Sequence, residues 1–310
     1  MVLITGAGGM LGGYLKEEFQ SEGVATLGLK EDSDYVCNLR ETTPDFGEKV
    51  FETVIHSAGT ESDKGAMELN LEGTKRLIEA LKDRLPENFV YVSSYQVYSR
   101  EAGEGVNEET PTWATTEAGK SKALAEQYLT DWSKENGVNL TVIRPARMFG
   151  NGVSGETLQL FNDALSGKYI HIRGNDAKVS LVCALDVAKG IKRIHGFGGI
   201  YNVSDGRPVK YIEMVEALTA NAGAKKRMTH LPGDWAEWLW RLGRWIPSIN
   251  RNLSPQVVEA RMKSVTLDNK KFVEYSGLEC FDTIAVIERR EKGYPYVEDK
   301  IKTKKGVHEV

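Results

Sequence analysis

Short apolar runs alternate with amphipathic segments over the first half of the chain, and this alternation predicts strands and helices in turn. The apolar runs are bounded by glycine or polar residues, as is typical of buried strands. The predicted strands cover residues 2–5, 24–29, 53–57, 89–93 and 140–144. The predicted helices cover residues 11–22, 69–85 and 117–136. Strands that alternate with helices pair in parallel through right-handed crossovers, so we expect an α/β fold with a doubly wound parallel sheet.

The pattern becomes less regular after residue 150, which predicts two parts of the chain. Residues 1–150 form the first part. Residues 151–310 form a mixed second part, which should add late strands to the sheet and a smaller C-terminal cap over the strand ends. In this part the sequence predicts helices over 157–166 and 210–222 and a strand over 200–203. A tryptophan-rich segment at 234–245 is typical of a cap helix that buries its aromatic side chains, and the tail from residue 298 is typical of a frayed end.

Composition indicates a globular protein without a general affinity for nucleic acids. The 310 residues are 41% hydrophobic, which allows a large core, and the net charge is −4 at pH 7. Cys37, Cys183 and Cys280 are far apart and lack metal-ligand spacing, so we expect no metal site and a reducing compartment. No apolar stretch approaches the roughly 20 residues of a membrane span, and the first motif leaves no room for a signal peptide. These features predict a cytoplasmic protein that does not bind membranes.

A glycine-rich turn follows the first predicted strand and leads directly into a predicted helix. The free N–H groups and the positive dipole end at a helix N-terminus bind phosphates. Gly6 allows the tight turn, Gly9 lets the backbone approach the phosphates, and Gly12 lets the helix pack closely on the strand. The strand, turn and helix together predict a dinucleotide site.

Further motifs follow this turn in order along the chain. The series is Thr5-Gly6-x-x-Gly9-x-x-Gly12, Val54-Ile55-His56-Ser57-Ala58-Gly59, Asn70-x-x-Gly73-Thr74, Tyr91-Val92-Ser93-Ser94-Tyr95-Gln96-Val97-Tyr98, Ser121-Lys122-Ala123-Leu124-Ala125-Glu126, Arg144-Pro145-x-x-Met148-Phe149-Gly150, Asp186-Val187-Ala188 and Tyr201-Asn202-Val203. Over residues 1–215 the chain thus resembles the extended short-chain dehydrogenase/reductase family, of the NAD-dependent epimerase/dehydratase type. This family includes nucleotide-sugar epimerases, dehydratases and reductases. The resemblance implies a Rossmann domain and hydride transfer with a nicotinamide cofactor.

The resemblance also implies which residues would hold the cofactor. The implied contacts are Gly6, Gly9, Met10, Leu11, Gly12, Asn38, Leu39, Ser57, Ala58, Gly59, Lys122 and Ala146. Lys30 stands at the end of the second predicted strand, where NAD enzymes of the family tend to carry Asp. A cation there favours the 2′-phosphate of NADP, although the negative charges of Glu31 and Asp32 reduce the net positive charge at this point. The expected cofactor is therefore NADP or NAD, with NADP slightly preferred.

The reaction centre departs from the family pattern. The family places Tyr and Lys four residues apart on one face of a helix, where the Lys binds the nicotinamide ribose and lowers the pKa of the Tyr, which is the general acid/base. Lys122 and Ser94 match this pattern, and Ser94 would hold the substrate oxygen, but Ala118 stands at the Tyr position. Tyr95 directly follows Ser94, and it either lines the pocket or replaces the missing base.

Three explanations of Ala118 stay open. If an engineered Tyr→Ala change removed the base, restoring Tyr should raise turnover by roughly 10²–10⁴. If the protein uses another group instead, Tyr at position 118 should clash or do nothing, and Tyr95→Phe should abolish activity. The protein could also bind a dinucleotide without turnover. The flanking residues, which otherwise match the family, favour the first explanation.

The sequence says less about the substrate. Arg147 could face a phosphate or a carboxylate. Nucleotide-sugar members usually carry an Arg shortly before Asp-Val-Ala that clamps the diphosphate, and only Lys178 could take this role here, as a point charge. The substrate candidates are Ser94, Tyr95, Arg147 and Lys178. We expect an NAD(P)-dependent sugar-nucleotide epimerase, dehydratase or reductase; the alternatives are a reductase or dehydrogenase of a small carbonyl or sterol and a non-catalytic NAD(P)-binding protein.

The resemblance also implies a homodimer, because helices corresponding to 69–85 and 117–136 commonly pair with their copies into a four-helix bundle. Leu71, Leu77, Ile78 and Leu81 could supply the apolar stripe of such an interface. The same residues could instead face their own sheet.

Overall fold

The computed structural model describes residues 1–153, 155–221, 229–233, 235, 238, 241, 258 and 261–289. Its strands are β1 (Val2–Thr5), β2 (Val24–Gly28), β3 (Tyr35–Val36), β4 (Thr53–His56), β5 (Asn88–Val92), β6 (Gly103–Val106), β7 (Asn139–Pro145), β8 (Arg147–Phe149), β9 (Ile170–Ile172), β10 (Lys178–Val179), β11 (Leu181–Cys183), β12 (Gly199–Val203), β13 (Val209–Lys210), β14 (Thr229–Leu231) and β15 (Val265–Leu267). Its α-helices are α1 (Met10–Phe19), α2 (Glu72–Leu81), α3 (Glu117–Asn136), α4 (Gly155–Leu165), α5 (Ala184–Ile194), α6 (Tyr211–Asn221), α7 (Lys270–Ser276) and α8 (Thr283–Arg289). None of the described helices has both the length and the apolar character needed to cross a bilayer.

Seven of the described strands form one sheet in the order β12-β7-β5-β4-β1-β2-β3, and all neighbours run parallel. From β1 the chain adds β2 and β3 on one side and then crosses over to add β4, β5, β7 and β12 on the other. The direction of growth therefore reverses between β1 and β4. Doubly wound sheets bind ligands in the crevice at the carboxyl ends of the strands at this point. The predicted parallel sheet is confirmed, and every strand predicted in the first half belongs to it.

Alternate residues of the sheet pack against helices on opposite faces. On one face Ile4 packs with Leu15 and Phe19 of α1, in a cluster that also contains residues of α5. On the other face Leu3 packs in a cluster with Leu77 of α2 and with residues of α3. β1 and β4 are buried along their whole length, as expected for strands covered by helices on both faces. Each fully buried Leu, Ile or Phe side chain contributes roughly 1.5–3 kcal/mol, so these layers hold the sheet in place.

The apolar stripe of α2 faces the chain's own sheet. Leu77, Ile78 and Leu81 are 0%, 5% and 2% exposed and belong to the apolar core. These three residues therefore cannot supply the dimer contact considered above, because they are already buried within one chain. Leu71, at the end of a π-helical turn (Met67–Leu71) that precedes α2, is only partly buried.

The second part of the chain extends the sheet and also builds a separate apolar cluster. β12 pairs with β7, and α5 packs on the same face of the sheet as α1. Phe161 of α4, Met214 of α6 and Ile284 of α8 share the separate cluster with Val179 and Val209. These two valines belong to a smaller sheet in the order β13-β10-β15-β6. The division of the chain at residue 150 stays a prediction.

The structure describes only part of the tryptophan-rich segment. Trp235 and Trp238 contact each other edge to face, and each is 57% exposed. The expectation that this segment buries its aromatic side chains is therefore wrong for these two residues. The other tryptophans of the segment, and the tail from residue 298, lie outside the described residues.

Candidate active site

The glycine turn after β1 leaves no room for a side chain at Gly6 or Gly12. Gly6 has φ +68°, and a Cβ atom there would lie 2.7 Å from the backbone N of Ala58. A Cβ atom on Gly12 would lie 2.3 Å from the carbonyl oxygen of Gly6. α1 begins after Gly9 without a side-chain cap, so the N–H groups of its first turn stay available to a ligand. A backbone cradle at a helix N-terminus fits the pyrophosphate of a dinucleotide.

A cavity of about 890 Å³ begins at this turn and crosses the carboxyl edge of the sheet. Gly9, Met10 and Leu11 line it at the turn, as do Ser57 and Gly59 after β4. It continues past the ends of β5 and β7 into the second part of the chain. The lining residues that carry polar side chains along this path include Lys122, Ser93, Tyr95, Arg147, Thr157, Arg261 and Lys263. Both parts of the chain therefore contribute to one site.

Lys122 is almost completely buried where it borders this cavity. Its Nζ donates a hydrogen bond to the carbonyl oxygen of Val92 at 2.9 Å, and its side chain is 6% exposed. Burial lowers the pKa of Lys122 to about 8, although the carboxylates of Glu61 and Glu126 act in the opposite direction. A Cβ atom on Gly59 would come within 3.1 Å of the Lys122 Nζ. Gly59 therefore lets this ammonium reach the cavity wall, where it could bind ribose hydroxyls.

Ser94 and Tyr95 follow β5, but they have different surroundings. Ser94 is 2% exposed and is not among the described residues that line the cavity, and its Oγ accepts a hydrogen bond from the backbone N of Gln96 at 3.2 Å. Tyr95 lines the cavity, and its hydroxyl accepts a hydrogen bond from Nη2 of Arg147 at 3.1 Å. Nη1 of Arg147 donates to Oγ1 of Thr157 at 3.3 Å. The structure thus brings together two predicted substrate residues, Tyr95 and Arg147, through a direct contact.

Ala118 is enclosed by protein. It lies one turn before Lys122 on α3, it is 0% exposed, and it is not among the described residues that line the cavity. Its backbone N donates a hydrogen bond to Oδ1 of Asp63 at 3.0 Å. A Cβ atom on the neighbouring Gly119 would lie only 2.1 Å from the carbonyl oxygen of Gln96. The start of α3 therefore packs tightly against the segment that carries Ser94.

A buried ion pair holds α3 against the end of the sheet. Nη2 of Arg144 contacts Oε2 of Glu126 at 2.5 Å, and both side chains are less than 8% exposed. The hydroxyl of Ser93 donates to the same carboxylate. Removing one partner of a buried pair leaves the other charge uncompensated. The ends of β5 and β7 are thus tied to the helix that carries Lys122.

The remaining predicted cofactor residues differ in their exposure and in their hydrogen bonds. Lys30 is exposed, and its Cε lies 3.9 Å from the position of a Cβ atom on Gly8, so its side chain lies beside the glycine turn. Asn38 accepts a hydrogen bond from the backbone N of Arg40 through Oδ1. Leu39 and Ala146 are buried, and the backbone N of Ala146 donates to the carbonyl oxygen of Val203. Ala58 is partly buried, and its backbone N donates to Oγ1 of Thr5.

The structure places Lys178 away from the cavity. Its Nζ pairs with Oε2 of Glu104 at 2.9 Å, and it is not among the described lining residues. The neighbouring Val179 does line the cavity, and successive side chains of a strand point to opposite faces. The structure thus does not bring Lys178 to the cavity, and its role in diphosphate binding stays a prediction.

Arg261 supplies a cation to the cavity that the sequence did not predict. It lines the cavity, and its buried Nη1 has no hydrogen-bond partner in the described part of the chain. Burial lowers the pKa of Arg261, which also lies over the ring of Tyr169. No local motif marks this arginine in the sequence, because only the fold brings residue 261 to the carboxyl edge of the sheet.

Known proteins resemble this chain over both its sequence and its fold. The model of the NAD dependent epimerase/dehydratase family matches residues 2–204. The spore coat polysaccharide biosynthesis protein SpsK of Bacillus subtilis is 25% identical over 229 residues, which cover 72% of this chain and 79% of SpsK. The structure of UDP-glucose 4-epimerase from Thermotoga maritima with UDP-glucose superimposes with a TM-score of 0.72 at 17% identity, covering 93% of this chain and 96% of that one. The structure of RMD from Pseudomonas aeruginosa with NADPH gives a TM-score of 0.69 at 22% identity, covering 93% and 95%.

Proposed function

This chain belongs to the NAD-dependent epimerase/dehydratase family, and we propose that it acts on a nucleotide sugar by hydride transfer with a nicotinamide cofactor. The observation that carries the proposal is a single cavity with phosphate-binding features at both ends. The glycine turn and the start of α1 provide backbone N–H groups at one end, and Arg261 provides a cation at the other. A dinucleotide and a nucleotide sugar each carry a diphosphate. Two such molecules bound end to end would bring their reactive rings together near Lys122.

The cofactor end fits a dinucleotide because the cradle at Gly6 and Gly12 cannot hold side chains. When bound, the nicotinamide ring would supply the hydride acceptor and donor. The Lys122 ammonium would hold the ribose of that ring. Lys30 lies beside the glycine turn, where its ammonium could reach the 2′-phosphate of NADP. This position supports a preference for NADP over NAD.

The substrate end fits a diphosphate because it offers a buried guanidinium group. The Nη1 of Arg261 is buried without a hydrogen-bond partner among the described residues, and an unpaired buried donor costs about 1–3 kcal/mol. A phosphate oxygen would satisfy this donor, and Arg binds phosphate in a bidentate geometry. The fold relative from Thermotoga maritima carries UDP-glucose, which contains such a diphosphate.

Turnover on a panel of nucleotide sugars tests the proposal. The protein is incubated with NAD⁺, NADP⁺ or their reduced forms, and the sugars are analysed for epimerisation, dehydration or reduction. We expect one class of nucleotide sugar to be converted. Turnover of small carbonyls or sterols alone would favour a simple reductase. Dinucleotide binding without any turnover would favour the non-catalytic alternative, which the presence of Ala118 suggests.

Binding measurements test the two ends of the cavity separately. Arg261→Gln should weaken the binding of a UDP-sugar by roughly 10–100-fold, the range for a lost charged hydrogen bond. The exposed Arg173→Gln serves as the matched control and should change nothing. Lys30→Ala should weaken NADP binding by about 1–3 kcal/mol and leave NAD binding nearly unchanged, with Lys49→Ala as its control. If calorimetry detects no binding of either dinucleotide to the wild-type protein, the proposal fails.

A further inference from the structure

The enclosed methyl group of Ala118 leaves the site without a proton-transfer group at the usual place on α3. Ala118 is 0% exposed, and the residues of α3 and its cap that line the cavity are Thr116 and Lys122. A reaction that removes a hydride from an alcohol carbon must also remove the hydroxyl proton. The cavity must therefore provide an acceptor elsewhere.

Three tyrosines are among the described lining residues, and their surroundings differ. The hydroxyl of Tyr98 donates to Oδ1 of Asn202 at 2.8 Å and accepts from Nη1 of Arg144 at 2.8 Å, so its hydrogen-bonding capacity is used inside the fold. Tyr211 packs in the apolar cluster of the second part of the chain. Tyr95 directly follows Ser94 and presents its hydroxyl to a guanidinium group in the cavity.

The contact between Tyr95 and Arg147 is built by several elements. The backbone of Arg147 pairs in register with Leu181 of β11, and its N donates to the carbonyl oxygen of Ser180. Its Nη1 donates to Thr157, which is 4% exposed on α4. The ring of Tyr95 packs against the main apolar cluster. The guanidinium and the phenol are thus held in one geometry, with Nη2 at 3.1 Å from the phenol oxygen.

We propose that the phenol of Tyr95, positioned and activated by Arg147, transfers the proton in place of the tyrosine absent from position 118. A cation that donates a hydrogen bond to a phenol oxygen favours the phenolate. This inference rests on the proposed function for its substrate, a sugar alcohol within a nucleotide sugar. Tyr95 is its catalytic residue, and Arg147 is a positioning residue.

The proposed step balances atoms and electrons. The O–H bond of the substrate alcohol breaks, and its proton passes to the phenolate oxygen of Tyr95. The C–H bond on the same carbon breaks, and the hydrogen leaves with both electrons as a hydride, which a bound nicotinamide ring would accept. The alcohol carbon of the substrate and its oxygen are then joined by a C=O double bond. In the reverse direction the Tyr95 hydroxyl returns the proton to the carbonyl oxygen.

Phenolate absorbance against pH, measured on the ligand-free protein, tests the activation of Tyr95 without requiring turnover. Tyr95→Phe should remove one phenolate transition from the low-pH end of the titration. Arg147→Gln should move that transition to higher pH, and Arg147→Lys, which keeps a cation, should largely restore it. Tyr275→Phe, on α7 and 50% exposed, is the matched control and should leave the transition unchanged. If the phenolate transition lies at the wild-type pH in both Arg147 variants, the proposal fails.

Kinetics on the nucleotide sugar that the wild-type protein converts tests the catalytic role. Tyr95→Phe should lower kcat by roughly 10²–10⁴ and leave the binding of dinucleotide and UDP unchanged by calorimetry. Arg147→Gln should shift the pH–rate profile to higher pH. A Tyr95→Phe protein with wild-type kcat would overturn the inference while the proposed function stands. If the wild-type protein converts no nucleotide sugar, the proposed function fails, and the phenolate titration still decides whether Arg147 activates Tyr95.

Discussion

Lys122 is the residue at which stability and function conflict most clearly. A buried ammonium is costly because the low dielectric of the interior disfavours the charged form. Burial lowers the pKa of Lys122 to about 8 from its ordinary 10.5, and the hydrogen bond to Val92 does not offset this loss of solvation. A group retained at such a cost is typical of a functional site. We therefore expect its replacement to separate stability from ligand binding.

Lys122→Met should stabilise the ligand-free protein and weaken dinucleotide binding. The lowered pKa corresponds to about 3 kcal/mol, and the lost bond to Val92 reduces the gain to about 1–3 kcal/mol in unfolding free energy at pH 7. Between pH 8 and 10.5 the unfolded chain binds more protons than the folded one. Wild-type stability therefore rises with pH across this window, and the advantage of the variant shrinks. Chemical denaturation at several pH values measures this.

The exposed Lys120→Met, on the same helix, is the control for Lys122→Met and should show neither effect. Lys120 is about half exposed and pairs with Glu117, so its charge is solvated in the folded protein. A Lys122→Met protein that is less stable than wild type at pH 7 would contradict the prediction.

Ala118→Tyr should destabilise the protein and should not raise turnover. The methyl group of Ala118 is fully enclosed, and inserting a phenol into a packed site typically costs about 1–3 kcal/mol. Thermal unfolding and the nucleotide-sugar assay measure the two effects, with the exposed Lys120→Tyr as control. A rise in turnover of roughly 10²–10⁴ would instead show that the site is an ordinary one whose base has been removed.

At the scale of elements, the contact between the start of α3 and the segment after β5 sets the geometry of the site. Oγ1 of Thr116 accepts a hydrogen bond from the backbone N of Gly119 at 3.0 Å and caps the helix. Gly119 then approaches the carbonyl oxygen of Gln96 so closely that only a glycine fits. This approach holds α3, which carries Lys122, against the segment that follows Ser94.

Gly119→Ala should destabilise the protein and reduce activity, because its Cβ atom would lie 2.1 Å from a backbone oxygen. The helix must then move away from Ser94, and we expect a loss of about 1–3 kcal/mol in unfolding free energy. Gly13→Ala in α1 is the matched control, since a Cβ atom there meets nothing within 4 Å. The control should be neutral or stabilise by up to about 1 kcal/mol, the difference in helix propensity. Equal stability of both variants would contradict this account.

The outcomes for the individual helices show where local patterns are reliable. The helix predicted over 117–136 is confirmed as α3, because Thr116 caps its start and Gly137, at φ +68°, ends it. The helix predicted over 11–22 ends as an α-helix at Phe19 and continues as a short 3₁₀ helix until Gly23. The helix predicted over 69–85 begins with a π-helical turn, and α2 ends at Leu81. Hydrophobic spacing predicts that a helix exists, but packing decides its last turns.

At the scale of the whole molecule, the homodimer stays a prediction, but the residues expected to form its interface have changed. Leu77, Ile78 and Leu81 of α2 are buried and cannot belong to the interface. On α3, however, Leu124 is 41% exposed and Tyr128 is partly buried. We expect sedimentation to show a homodimer formed by the outer faces of α2 and α3. Leu124→Glu should weaken it, and Val50→Glu, on an exposed loop, should not. A wild-type protein that sediments as a monomer at all concentrations would contradict the prediction.

The sequence by itself determined the parallel sheet and the phosphate cradle. Strand and helix periods are properties of short stretches of chain, and the glycine spacing of the turn and the order of the motifs can be recognised along the sequence without a structure. Local chemistry also identified Lys122 and the departure at Ala118. These parts of the fold and site could therefore be predicted from the order of the residues alone.

Only the tertiary structure decided which side chains line the cavity and which contacts they make. It enclosed Ala118, joined Tyr95 to Arg147, turned Lys178 toward Glu104 and brought Arg261 to the carboxyl edge of the sheet. Each outcome depends on the register of strands and the packing of helices that lie far apart in the chain. A one-residue change of register would turn every side chain of a strand to the other face, so no local pattern can specify such contacts.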